Sequence, residues 1–135
     1  MTAAVRIRRD LISFLCNEAK RSPLAECCGL LAGRNGNITQ AFPVLNAVAS
    51  ATEYEIATDD LFRLMKEIRA AGLQMLGIYH SHPNGENKPS ARDIERAYYP
   101  DAAYFIISPL LDAPLPVRAF SIRAGQSTEL EIQAI

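Results

Sequence analysis

The chain lacks most of the features that would announce a function directly. Its 14 Lys and Arg residues are balanced by 15 Asp and Glu. There is no basic patch of the kind a nucleic-acid partner needs. The apolar runs are far too short to span a bilayer. The opening residues, Met1-Thr2-Ala3-Ala4-Val5-Arg6-Ile7-Arg8-Arg9-Asp10, lack the apolar centre of a signal peptide. Cysteine is scarce and odd in number: Cys16, Cys27 and Cys28. An odd set with two adjacent members makes a poor disulfide framework and points to a reducing cytoplasm. No C-x-x-C pair offers a structural zinc site, and neither an internal repeat nor a low-complexity segment is present. Histidine is scarcer than cysteine, with only His80 and His82. What remains is a near-neutral chain of 135 residues, 49% apolar, a length that fits one domain over residues 1–135 with a core of its own.

The pattern along the chain alternates between strand and helix signals. Val5 to Arg8 alternates as a strand does. Asp10 is placed to cap a helix whose apolar face is Leu11, Ile12, Leu15, Cys16 and Ala19. Lys20 and Arg21 suit its negative end, and Ser22-Pro23 closes it. Glu26 to Ala32 reads as a buried strand, Asn35-Gly36 as a two-residue hairpin turn, and Asn37 to Val44 as the returning strand, limited by Pro43. Tyr54 to Ala57 suggests a further short strand. Thr58 or Asp59 caps a second helix with a stripe of Leu61, Leu64, Met65 and Ile68, and Gly72 is suited to its C-terminal turn. That stripe reads as core rather than as a docking surface. Tyr104 to Ser108 is a strong buried strand, and Val117–Arg123 with Glu129–Ile135 forms a last hairpin around Gly125. The expected fold is α+β or mixed α/β: a central, mostly antiparallel curved sheet flanked by two long helices and one short helix.

The two histidines fall where chemistry is expected. Leu73 to Tyr79 is an apolar strand signal that runs into His80-Ser81-His82-Pro83. On a strand, residues i and i+2 share a face, so His80 and His82 project together and Ser81 points away. Pro83 ends the strand. Asn84 to Pro89 is a loop by composition. Ser90-Ala91-Arg92-Asp93 then opens a short helical stretch with Ile94, Ala97 and Tyr98. If that first turn folds back over the strand end, Asp93 joins the histidines. Two imidazoles and a carboxylate, with one position open, are the donor set of a catalytic zinc. Ser90-x-x-Asp93 also has the form of a capping box, and taken alone the two readings compete. A proton acceptor is needed as well. Glu26, a carboxylate opening an apolar strand, is the candidate, against the alternative that it marks an exposed strand start. Cys28 would share its face on a regular strand and offers a thiolate, although three ligands are already in hand.

These residues together resemble the JAMM, or MPN-plus, metalloprotease family. Its pattern is a Glu on an early strand, then H-S/T-H-P, then S-x-x-D. Glu26, His80, Ser81, His82, Pro83, Ser90 and Asp93 match it position by position, and Glu26-x-x-Gly29-x-Leu31-x-Gly33 resembles its early strand. The resemblance implies one MPN domain in which His80, His82 and Asp93 bind one Zn²⁺ and a water. It implies that Glu26 takes a proton from that water and passes it to the leaving amine, and that Ser90 hydrogen-bonds near the oxyanion. It further implies cleavage of a peptide or isopeptide bond after the C-terminal Gly-Gly of a ubiquitin-like protein. The short chain is similar to compact bacterial members, which makes a ubiquitin-like sulfur carrier the expected partner. Such a tail could lie in a narrow groove or pair with a free sheet edge. Two other readings stay open at this point. One is a metal-free scaffold or docking domain; the other is a metallopeptidase acting on ubiquitin conjugates or cell-wall peptides.

Overall fold

The computed structural model describes residues 3–135. Seven strands and three helices follow in the order β1 (Ala4–Ile7), α1 (Arg9–Lys20), β2 (Cys28–Arg34), β3 (Asn37–Val44), α2 (Thr58–Ala70), β4 (Gln74–Ser81), α3 (Ala91–Glu95), β5 (Ala103–Ile107), β6 (Val117–Arg123) and β7 (Gln126–Ala134). Two helices are long and one is short, as the periodicity predicts. The sheet is not the central curved sheet flanked by helices that was expected. It closes into a barrel in the order β1-β3-β2-β4-β5-β6-β7. The closing piece is β1, a strand of 4 residues. It pairs in parallel with β7 along its whole length and with β3 at Arg6 and Ile7. With β4–β5 also parallel, parallel pairing has a larger share than expected. Closure removes the free edge strands. The stretch of β3 beyond Ile38 still has no strand on its β1 side, so Pro43 fits near its end and β3 runs on to Val44.

Two apolar clusters lie on opposite faces of the sheet. One gathers Leu11, Leu15 and Ala19 of α1 with side chains from all seven strands, among them Leu31, Tyr79, Phe105 and Ile107. The other places Leu64 and Ile68 of α2 against Leu30, Ile78, Tyr104, Ile106 and Phe120. Consecutive residues of β2, β4 and β5 therefore serve opposite faces. This explains why those strands read as continuous apolar runs. The α2 stripe is core, as read.

Several local expectations need correction. Asp10 is not the cap of α1: the helix starts at Arg9 after Arg8, and Asp10 sits in its first turn. Backbone carbonyls supply what a cap would, since Arg8 N–H donates to Ile38 (2.8 Å) and Arg9 N–H to Ile135 (2.9 Å). Neither Thr58 nor Asp59 caps α2, which follows Ala57 without a side-chain cap. Its other end is as predicted. Gly72 has φ 71°, and Leu73 N–H reaches the Ile68 carbonyl at 3.0 Å in a Schellman turn. Tyr54–Ala57 forms no strand, only a single bridge between Asn46 and Ile56. The turn at Asn35-Gly36 has φ 55° and 76°, the left-handed pair a tight hairpin requires.

The position of the site follows from one topological fact. Because β5 runs parallel to β4, the chain must leave the far end of β4 and cross back to the start of β5. Residues 82–102 make that crossing, and α3 lies on it.

Candidate metal centre

His80 is on β4, opposite Cys28 of β2. It is 1% exposed, and its ring stacks on Tyr54 with centroids 4.4 Å apart. His82 lies one residue past β4 and stays in line because its N–H donates to Ile107 (2.9 Å). Their side chains project together, with the two Nε2 atoms 3.1 Å apart. The first turn of α3 brings Asp93 Oδ2 to 3.2 Å from His80 Nε2 and 3.0 Å from His82 Nε2. A tetrahedral ion with bonds of about 2.0–2.1 Å separates its ligands by about 3.3 Å, so the triangle fits such an ion. The donor chemistry fits too. His82 Nδ1 is 2.7 Å from the Glu86 carbonyl oxygen, which can only accept, so Nδ1 carries a proton and the neutral ring would offer its Nε2 lone pair to an ion. These three residues are the described group of His, Cys, Asp and Glu able to share one ion. Cys28 does not join them. Its thiol donates to Val44 (3.6 Å), and burial pushes it up to about 12.

The three groups differ in charge preference. Burial lowers the His80 pKa, with the Asp93 contacts opposing. Burial would lower His82 as well, but Asp93 and the Glu86 carbonyl outweigh it and the net shift is upward. Burial would raise the Asp93 carboxyl. Its hydrogen bonds to His80 and His82, helped by the Ser90 N–H, instead hold it well below the usual carboxylate range.

Glu26 is buried, but it does not open β2. It lies two residues earlier, in the loop after α1. Its N–H donates to Ser50 (2.7 Å), and its carbonyl accepts from Asn46 Nδ2 (3.1 Å). The next residue is tied to the histidine strand. Cys27 N–H donates to Ser81 Oγ (2.9 Å), and Ser81 N–H donates to the Cys27 carbonyl (3.1 Å). Ser81 points away from the cluster, as expected, and uses that position to hold the Glu26 segment. One Glu26 carboxylate oxygen is buried without a hydrogen-bond partner among the described residues. Burial pushes this acid up to about 8, while His82, across the site, pulls the other way.

Ser90 realises the capping reading and the clustering reading together. Its Oγ accepts from Asp93 N–H (3.1 Å), and its N–H donates to Asp93 Oδ2 (2.9 Å). The capping box thus fixes the oxygen that faces the histidines. The short helix ends at Glu95, and Tyr98 is exposed rather than part of an apolar face.

Three further residues shape the site and were not singled out from the sequence. Tyr54 forms the stacking wall for His80. Asn46 joins the Glu26 carbonyl to Glu53 and Glu55 of the facing loop; as the lone polar residue in Val44–Ala49, it had a readable signal. Asn87, buried, donates to Leu115 (2.6 Å) and Ile106 (3.4 Å) and so anchors the loop whose Glu86 orients His82. It sits between two charged residues and gave no signal. Beside Asp93 opens a cleft of ≈ 400 Å³, with Leu30, Ile56 and Ile78 below and Glu53, Arg92 and Arg96 at its rim. No helix among the described residues is long and apolar enough to cross a membrane.

Comparison with known proteins agrees with the geometry. The chain is 37% identical over 112 residues to a desampylase of Haloferax volcanii, covering 81% of each protein. It is 30% identical over 131 residues to a CysO-cysteine peptidase of Mycobacterium tuberculosis, covering 96% of this chain and 90% of the relative. A solution structure of a protein from Desulfitobacterium hafniense superposes with a TM-score of 0.83 at 28% identity, over 97% of this chain and 92% of that one. The family model described as prokaryotic homologs of the JAB domain matches residues 8–123, and the chain belongs to that family.

Proposed function

We propose that this protein is a zinc-dependent peptidase of the JAMM type. It hydrolyses the bond after the C-terminal Gly-Gly of a ubiquitin-like sulfur carrier, and residues 1–135 form one domain for that task. The carrying observation is the convergence of His80 Nε2, His82 Nε2 and Asp93 Oδ2 near a buried carboxylate with an unpartnered oxygen, Glu26. His80, His82 and Asp93 would hold one zinc per chain. When bound, the ion supplies Lewis-acid activation of the water and the scissile carbonyl. Glu26 handles the proton. Its carboxylate accepts one from the attacking water and returns it to the leaving amine. A cation at the His–Asp cluster favours the ionised form needed at the start of that cycle. Ser90 Oγ uses a lone pair on Asp93 N–H, so its own proton is free to donate to the developing oxyanion.

The names of the two relatives, desampylase and CysO-cysteine peptidase, support a carrier conjugate as substrate. A metal-free docking domain would have no use for a buried, unpaired Glu26 beside three convergent ligands.

The test is to incubate zinc-loaded protein with carrier adducts and follow the products by mass spectrometry, with Glu26→Gln as control. Intact carrier plus a free amine is expected. Hydrolysis of unrelated peptides while diglycine adducts stay whole would sink the substrate assignment and leave the zinc chemistry standing.

A further inference from the structure

At the rim of the cleft beside Asp93, two arginines of the α3 segment hold one carboxylate. Arg92 Nη1 is 3.1 Å from Glu53 Oε2, and Arg96 Nη1 is 3.3 Å from Glu53 Oε1. Arg92 and Arg96 are four residues apart, one helical turn. Arg92 adjoins Asp93, and Arg96 lies three residues beyond it. Each guanidinium has five N–H donors in a fork that matches a carboxylate, yet each touches Glu53 through one nitrogen. Both arginine side chains are 46% exposed, so the remaining donors are open to an anion from solvent. Glu55 and Asp93 also line the cleft. With Glu53, they make the arginines the cations that keep the rim from being wholly acidic.

We infer that Arg92 and Arg96 form a recognition site for the free α-carboxylate of the residue that is cut off. This rests on the peptidase reading and narrows it. The favoured substrate is a carrier bearing a single C-terminal amino acid, rather than a carrier joined to a protein lysine. In the reaction, water adds OH to the carbonyl of the last glycine and H to the amine, and the amide between them breaks. The departing residue carries its carboxylate one backbone unit from the broken bond, and consecutive Cα atoms are about 3.8 Å apart. A bond cut beside Asp93 therefore presents that carboxylate within the reach of side chains one helical turn away. A lysine isopeptide has no carboxylate at that position. Glu53 occupies the clamp in the free enzyme, and its carboxylate shows the chemistry the two forks accept. The apolar floor of Leu30, Ile56 and Ile78 takes the side chain of the departing residue.

The experiment compares three conjugates of one ubiquitin-like carrier ending in Gly-Gly. They carry a C-terminal cysteine as the free acid, the same cysteine as its carboxamide, or a lysine isopeptide. Zinc-loaded enzyme should cut the acid about tenfold or more faster than the carboxamide, judged by kcat/KM, because a lost charge-assisted contact is worth at least that. The difference should lie mainly in KM. In Arg96→Met, the ratio of acid to carboxamide should fall towards one. Arg92→Met should do the same, so a folding defect in either variant leaves the other to decide. Equal wild-type rates for acid and carboxamide would overturn the clamp while leaving the peptidase intact. So would an undiminished ratio in both arginine variants. Cleavage of none of the three would remove the carrier reading itself.

Discussion

Glu26 and Asp93 are acids at the same end of the barrel, and the fold treats them in opposite ways. Asp93 Oδ2 is held by both histidines and by the Ser90 N–H. Its pKa is driven far down despite burial. Glu26 has its backbone fixed by Ser50 and Asn46, while one carboxylate oxygen is left bare. Burial drives its pKa up to about 8. A ligand must be permanently ionised and rigid; a base must be able to change its proton. Environments that push two acids apart in this way mark out different roles. The contrast arises from local structure: Asp93 sits on a capped helix turn and Glu26 in a loop that is tied down only along its backbone.

The largest expected effect comes from breaking the ligand side. His82→Ala should lose most of the zinc and all measurable turnover, checked by elemental analysis of the purified protein and by the carrier assay. Full zinc occupancy would show that the assignment of His82 as a ligand is wrong. Breaking the other side should separate the two functions. Glu26→Gln keeps the volume and removes the basicity, so it should retain zinc and fold while losing about 10²–10⁴ in rate. A near-wild-type rate would assign the proton transfer to another group.

Ser90→Ala tests the junction between the regions, since the same side chain caps α3 and faces the site. A loss of about 10²–10³ in kcat with zinc retained is expected if its hydroxyl meets the oxyanion. A loss of about 1 kcal/mol in stability with rate unchanged would mean that the cap is its whole role. Asn87→Ala should weaken zinc binding by about 10–100-fold, the usual cost of removing support for a ligand, because Glu86 loses its anchor and His82 its fixed tautomer. Nitrogen-resolved NMR of the histidine rings can read this directly, as only two rings contribute. A His82 ring that stays protonated at Nδ1 in the variant would argue against it.

Much of the site could be read from the sequence because its parts are local. His80 and His82 are alternate residues of one strand, and Ser90 and Asp93 are one turn apart, so chain geometry already sets their relation. The hairpin at Asn35-Gly36 and the stop at Gly72 are local in the same sense. Barrel closure is not. It depends on Ala4–Ile7 finding both β3 and β7, and nothing in a 4-residue strand declares its partners. The displaced start of β2 has the same origin. Glu26 looks like a strand residue until Asn46, twenty positions away, takes its carbonyl. Asn46 also replaces the strand expected at Tyr54–Ala57, since its side chain bonds the backbone of Glu53 and Glu55. Long-range side-chain-to-backbone bonds leave no period in a sequence.

The last test sharpens the comparison most directly, because it reads the two acids in one protein without metal. The Glu26 carboxyl is raised from its ordinary 4.5 to about 8. Between those values the folded chain keeps a proton that the unfolded chain has released, so stability falls as pH rises through that window. Asp93 is shifted the other way. Its contribution is fully present above the ordinary carboxylate value and is lost only as pH falls towards its depressed one. Melts of the metal-free protein at pH 5 and pH 8 should therefore show a decline that Glu26→Gln reduces. Asp93→Asn should leave that decline in place, since Asp93 stays ionised throughout the window, and lower stability at both pH values. The histidines are shifted too, His80 downward and His82 upward, which is why the difference between wild type and Glu26→Gln, rather than the wild-type slope, carries the result. Identical declines in the two proteins would mean that Glu26 is ionised in the free enzyme and that its burial does not set its proton. The contrast between the two acids would then depend on their hydrogen bonds alone.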